Sequence, residues 1–265
     1  MIDVNSYADI ADARVYYDTP QTDLLKLKPG AVIFAHDANV AMRCVVPVVV
    51  KPYILVTARD IPVTDTMLAL TPPNMVKWFG NNVTANGPRS QGIPIGVPPL
   101  NVGFNEGDGA TGQEKRDALQ IAAKGQKKHG RDGLLYVNHL TGTNPSERSA
   151  VYSMFQGQEW ATCKGGPARI PFGEYIDDMC SHRFVACPAG GGTDTHRVWE
   201  SLLLGATPIV KRHPAMEWFS ELPIMFVDDW SEVTQDALEE YKPHGNKQQM
   251  LREDYWLKMI RDAVK

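Results

Sequence analysis

Short, unbroken apolar runs separated by helical stretches constrain this chain more than any other feature of its sequence. GAVIFA (residues 30–35), YILVTA (53–58) and IPIGV (93–97) are bounded by Asp, Asn, Gly or Pro. LLYVN (134–138), RFVACP (183–188), TPIVK (207–211) and IMFVDD (224–229) repeat the pattern in the second half. Runs without polar alternation predict strands buried on both faces, as in parallel sheets covered by helices. Between the two sets, residues 98–133 turn rich in Gly and charge, with DALQIAAK as a short helical stretch. Such a shift marks a domain boundary.

The expected organisation is α/β, with an N-terminal domain over residues 1–105, a linker over 106–132 and a second domain over 133–245. An amphipathic helix closes the chain over 246–265, where Met250, Leu251, Tyr255, Trp256, Met259, Ile260 and Val264 recur at helical spacing. Both domains are expected to be doubly wound and to face each other across a cleft, with the ligand at the carboxyl ends of the strands.

Composition weighs against several classes of function without excluding a nucleic-acid partner. A net charge of −4 and a pI near 6.0 leave no global basic field for nucleic acid. The basic stretch from Lys124 to Arg131, with Lys127, Lys128 and His129, reads as a solvated linker. Cys44, Cys163, Cys180 and Cys187 form no CxxC pair and no Cys/His cluster, so neither a disulfide scaffold nor a zinc site is expected. The N-terminal residues lack a basic segment followed by an apolar run, and CVVPVVV (44–50) is too short to span a membrane. These features lead to the expectation of a soluble, cytoplasmic protein with no membrane partner.

Residues 187–210, CPAGGGTDTHRVWESLLLGATPIV, place a glycine-rich loop between a strand and a helix running from Thr195 to Leu204. Asp194 or Thr193 can cap that helix, Gly205 can end it, and Gly190, Gly191 and Gly192 permit close approach by a ligand. A helix N-terminus carries unpaired N–H groups and the positive end of a dipole, and Arg197 adds a fork of donors suited to phosphate. His196, Arg197 and Glu200 share a helix face, where the acid can accept from ribose hydroxyls. From these residues alone two readings stand: a nucleoside diphosphate seat, or a glycine turn with a cap and a surface Arg197–Glu200 pair. The block contains neither a GxxxxGK[ST] loop nor a GxGxxG fingerprint.

The block from Cys187 to Val210, with Gly190, Gly192, Asp194, Thr195, His196, Arg197, Trp199 and Glu200, closely resembles the nucleotide-sugar-binding segment of exostosin-like glycosyltransferases. YILVTARDIPV (53–63), MVKWFGNN (75–82), IPIGV, LLYVNHLTGTNPSERSAVYSMF (134–155) and VDDWSEVT (227–234) are similar to other elements of that family, in the same order. Ala58 and Arg59 depart from it, standing where a polar pair is usual. The resemblance spans residues 53–234 and implies a GT-B fold of two facing Rossmann-type domains, with the terminal helix returning to the first. It further implies a nucleotide-sugar donor, UDP- or GDP-linked, transfer with inversion to a carbohydrate hydroxyl, and no cofactor or catalytic metal. The chain has no D-x-D pair of the kind that holds a cation in the other common glycosyltransferase fold.

Without a metal, the departing diphosphate needs a helix dipole, backbone N–H groups and arginines. Arg197 and Arg148 are the candidates, although Arg148 can equally pair with its neighbour Glu147. The acceptor hydroxyl needs a base at a strand's carboxyl end. Asp60, which matches the family's acid, ranks first, followed by Asp37 and His36; each Asp can instead cap a helix. Trp78, Phe79 and Trp230 read as core rather than as a sugar-stacking surface. Competing readings are glycosylation of a modified base in DNA, a non-catalytic nucleotide-sugar-binding module, and a doubly wound protein for another nucleotide.

Overall fold

The computed structural model describes residues 2–17, 21–98, 111–125 and 130–263. Residues 99–110 of the expected boundary region, the basic residues Lys127, Lys128 and His129, and Val264 lie outside the described residues. The chain divides into two units. One comprises Met1–Ile95, His213–Trp218 and Gln248–Lys265; the other comprises Gly96–Arg212 and Phe219–Lys247.

The first unit begins with α1 (Val4–Asp9), capped by the Asp3 carboxylate, and β1 (Ala13–Val15). It continues through β2 (Ala31–Ala35), α2 (Ala38–Val40), β3 (Tyr53–Thr57), α3 (Asp65–Ala69), β4 (Met75–Gly80) and β5 (Ser90–Gly92). All five strands are parallel and lie in sequence order, β1-β2-β3-β4-β5. This sheet differs from the doubly wound expectation, because its strand order never reverses. Every residue of β2 and β3 is buried, which accounts for their continuous apolar runs. Ile33, Ala35, Leu55 and Trp78 join one core cluster with Val40 and Val45 from the segment after β2.

IPIGV is not a strand. The fifth strand precedes it, because Pro94 has no N–H with which to continue the ladder. Ile93, Ile95 and Val97 are buried nonetheless, so their apolarity reports packing rather than pairing. Trp78, Phe79 and Trp230 are likewise core residues, and the Trp78 indole N–H donates to Thr57 Oγ1 at 2.9 Å.

The second unit contains α4 (Gly112–Gly125), β6 (Gly133–Leu140), α5 (Pro145–Phe155), β7 (Ala161–Gly166), α6 (Phe172–Ser181), β8 (His182–Ala186), α7 (His196–Leu203) and β9 (Thr207–Lys211). The chain then passes through α8 (Pro214–Glu217), which belongs to the first unit, before β10 (Met225–Val227) and α9 (Gln235–Glu240). Its parallel sheet has the order β7-β6-β8-β9-β10, which is doubly wound. Helix α4 packs on α6 and α7, so most of the described part of the expected linker is an integral helix of this unit. Buried Phe172, Tyr175, Ile176 and Met179 give α6 its helical apolar face. The last helix, α10 (Glu253–Asp262), buries Trp256 and Ile260 and packs on α1 within the first unit. Among the described residues no helix is long and apolar enough to cross a membrane.

Segment 213–218 is fastened to the first sheet by Trp218, whose indole N–H donates to the Val83 carbonyl at 2.9 Å. A Cβ on Gly92 would lie 2.4 Å from the Trp218 ring and 2.9 Å from its own Cβ, so the contact exists only because β5 carries no side chain there. Gly92→Ala is expected to cost about 1–3 kcal/mol through overpacking, read as a lower urea midpoint. An unchanged midpoint would show that Trp218 is not held against this edge.

Candidate functional site

In the second sheet the chain moves from β6 outward to β7, then crosses back to place β8 on the other side of β6. Connections leaving β6 and β8 therefore run in opposite directions, and a crevice opens at their carboxyl ends. Two loops border it: residues 141–144, which lead into α5 and Arg148, and residues 187–195, which lead into α7 and Arg197.

Arg148 joins the two loops. Its Nε donates to the Ala189 carbonyl at 2.8 Å and its Nη1 to the Leu140 carbonyl at 3.2 Å. Asn144 Nδ2 donates to the same Ala189 oxygen at 3.2 Å. Glu147 turns elsewhere, accepting from the Trp230 indole at 3.0 Å and from Asn144. A Cβ on Gly190 would meet Arg148 Nη2 at 2.7 Å, so a side chain there would push the guanidinium aside. Gly190, Gly191 and Gly192 are absent from the described glycines with positive φ, and the turn closes through a Gly190 N–H to Gly192 carbonyl bond of 2.9 Å. The conformational freedom expected of these glycines is thus not used; close approach at Gly190 is.

The N-cap of α7 is Thr195, not Asp194 or Thr193, and its side chain makes no capping bond. Thr195 Oγ1 is buried with no partner among the described residues. Asp194 is buried and accepts the Trp199 indole N–H at 2.6 Å, which fixes the start of the helix from within. His196 donates through Nδ1 to the Gly96 carbonyl at 2.7 Å. Gly205, at φ 74°, terminates α7 as expected.

Arg197 lies over the face of Tyr175, 5.9 Å from the ring centroid. Its Nε is buried and unpartnered, and its guanidinium makes no hydrogen bond or ion pair with a described residue. The expected surface pair with Glu200 is replaced by a buried arrangement. Glu200 is 5% exposed and accepts the Tyr175 hydroxyl at 2.6 Å. Burial pulls the Arg197 pKa down, but Tyr175, Cys187, Glu200 and Tyr136 around it raise it further, leaving a net increase. Burial, reinforced by the Glu200 charge, holds the Tyr175 phenol well above its ordinary value. Burial also pushes the Cys187 thiol up to about 12, which makes it a poor nucleophile beside this loop.

His139, near the end of β6, was not anticipated from sequence. Its Nε2 sits 2.8 Å from the Arg148 carbonyl, which can only accept, so Nε2 carries the proton. Nδ1 is then a bare acceptor, buried without a partner. Burial lowers the pKa to about 4, against the raising effect of the Arg148 carbonyl and with help from the Arg197 and Arg148 charges. Tyr175 was also unanticipated, since its place on the apolar face of α6 marks it only as core. No sequence signal distinguishes either residue.

The three base candidates occupy the carboxyl edge of the first sheet. Asp37 is the N-cap of α2, bonded to the Val40 amide at 2.9 Å, the Tyr17 hydroxyl at 2.7 Å and His36 Nδ1 at 3.1 Å. Burial raises its pKa, yet these three bonds outweigh burial and leave it lowered, so the carboxylate is committed and weakly basic. Asp60 is exposed after β3 and has no partner among the described residues. It follows Arg59, whose φ of 72° is in the left-handed region and whose carbonyl accepts from Asn82, itself at φ 53°. Among the described residues no group of three or more His, Cys, Asp or Glu side chains converges as a metal site.

Folded His139 has a lower pKa than the ordinary value near 6.5, so the unfolded chain takes the proton first. Its contribution to stability is complete above pH 6.5 and is lost towards pH 4, at about 1.4 kcal/mol per pH unit. Urea midpoints measured from pH 7 to 4.5 are expected to fall less steeply in His139→Gln than in the parent. Equal slopes would remove His139 from this account.

No protein-family model matches the chain, and no curated protein matches it.

Proposed function

We propose that this protein is a glycosyltransferase that binds the diphosphate of a nucleotide sugar at the crevice between β6 and β8 and transfers the sugar to an acceptor hydroxyl. The observation that carries the reading is the arginine pair. Arg148 spans the two loops that border the crevice, while Arg197 beside it has a guanidinium with no hydrogen-bonding partner. Arg197 Nε is buried without a partner, which is costly unless an anion satisfies it, and the half-buried guanidinium offers its fork of donors to the oxygens of a diphosphate. The uncapped first turn of α7 and the Thr195 hydroxyl add donors on the same loop.

In this reading Glu200 does not bind ribose. It holds the Tyr175 hydroxyl, and Tyr175 supports Arg197 from beneath. In the transfer step the acceptor oxygen bonds to the anomeric carbon as the bond from that carbon to the diphosphate oxygen breaks. The acceptor proton passes to a carboxylate, and the new negative charge on the diphosphate is stabilised by Arg148, Arg197 and the helix N-terminus. Asp60 is the proposed base, because it is the carboxylate left uncommitted, whereas Asp37 caps α2 and accepts from Tyr17.

Nucleotide-sugar binding without transfer is a second reading, favoured by the commitment of Asp37 to α2. Release of free sugar from a nucleotide sugar in the absence of acceptor speaks against it. Calorimetry with UDP- and GDP-sugars is expected to show Arg197→Ala binding about 10- to 100-fold more weakly, the worth of a charge-assisted hydrogen bond. Unchanged affinity would remove the site. Asp60→Asn is expected to abolish transfer while leaving donor affinity intact; near-normal turnover would exclude Asp60 as the base.

A further inference from the structure

The carboxyl edge of the first sheet carries a group of rings that the sequence does not single out. Strand β1 ends at buried Val15 and runs into Tyr16 and Tyr17, which are 40% and 63% exposed. Strand β2 ends at Ala35 and runs into His36 and Asp37. Val15 and Ala35 are register partners, and the His36 amide donates to the Val15 carbonyl at 2.9 Å, so the two dipeptides leave the sheet side by side.

Both tyrosine rings meet His36, with centroids 6.0 Å away for Tyr16 and 5.7 Å for Tyr17. Tyr16 also packs at 6.4 Å on Phe34. The Tyr17 hydroxyl is fixed by Asp37 Oδ2 at 2.7 Å, and the other oxygen of that carboxylate is fixed by the Val40 amide. Two large rings are therefore exposed and held in place. A single exposed ring needs no explanation, but two adjacent ones anchored at the carboxyl edge of parallel strands stand where α/β proteins bind ligands.

Their chemistry selects the ligand. A flat ring face covers the C–H face of a pyranose, removing both apolar surfaces from water, while polar groups at its rim meet the sugar hydroxyls. Half-buried His36 supplies that rim, while the buried Asp37 carboxylate fixes Tyr17 and His36 from within. A polyanion fits poorly, since the adjacent carboxylate and the net charge of −4 repel phosphates.

We propose that Tyr16 and Tyr17 form a stacking platform for a pyranose ring of the acceptor carbohydrate, with His36 bonding its hydroxyls and Asp37 holding the platform in place. The word acceptor rests on the glycosyltransferase reading; the binding of carbohydrate by this edge does not. His36 thereby becomes a binding group and Asp37 a positioning group, instead of candidate bases.

Saturation-transfer NMR and calorimetry with cellohexaose, chitohexaose, xylohexaose and mannohexaose, alongside UDP- and GDP-sugars and the oligonucleotide dT12, test the proposal. One or more hexasaccharides is expected to bind, and Tyr17→Ala to weaken that binding about tenfold. Tyr17→Phe, which keeps the ring and loses the bond to Asp37, is expected to weaken it less. Tyr16→Ala provides a second truncation if Tyr17→Ala does not fold, with folding checked by circular dichroism. Nucleotide-sugar affinity is expected to stay unchanged in all three variants. Silence from all four hexasaccharides while a nucleotide sugar binds would overturn the platform and leave the donor site standing. Hexasaccharide binding that survives both truncations, or preferential binding of dT12 through these rings, would also overturn it. Tyr17-dependent hexasaccharide binding with no nucleotide-sugar binding would keep the platform and remove the transferase reading.

Discussion

The Arg148 guanidinium, drawn between the Leu140 and Ala189 carbonyls, is the contact on which the second unit's crevice depends. Loops leaving β6 and β8 diverge because the strand order reverses there, and divergence alone would leave their backbone oxygens unpaired. A long planar side chain with several donors satisfies both loops at once and brings its charge to the carboxyl ends of the strands. Gly190 follows from that choice, because a methyl group at this position would displace the guanidinium. The His139 bond to the Arg148 carbonyl holds the same residue from the strand side.

Electrostatics around α7 are arranged by burial. Asp194 and Glu200, the acids expected to meet a ligand, are instead turned inward to Trp199 and Tyr175. Each thereby acquires a hydrogen bond that offsets some of its desolvation. Arg197 does not acquire one, and the imbalance between satisfied acids and an unsatisfied base is what distinguishes this helix start from an ordinary capped turn. His139 remains neutral nearby because burial and two arginines all disfavour its charged form.

The first unit solves a different problem. Its strands follow sequence order, and a right-handed crossover repeated in one direction places every connection on the same face. Since β2 and β3 are buried throughout, the opposite face needs cover from elsewhere in the chain. Helices α1 and α10 pack on one another within this unit, α1 ahead of its first strand and α10 after its last. The amphipathic tail is legible in sequence for that reason: Trp256 and Ile260 repeat at helical spacing because one side of the helix is buried.

Strand identity was readable at most of the continuous apolar runs. Residues 53–57 and 207–211 are strands because burial on both faces leaves no polar position to break the pattern. Reading failed where apolarity had another cause, as at Ile93–Ile95, where proline blocks the ladder although the residues are core. It also missed β1 and β5, each three residues long, and β4 and β7, whose runs are interrupted by Lys77 and Lys164. The alternation of strands and helices, the glycine loop before α7 and the place of Arg148 and Arg197 near strand ends are all written in local sequence. Only tertiary structure decided the strand orders, the inward turn of Asp194 and Glu200, and the meeting of Arg148 with the loop after β8. Such contacts join residues some forty positions apart (Arg148 and Ala189), and local periodicity carries no record of which distant strand becomes a neighbour.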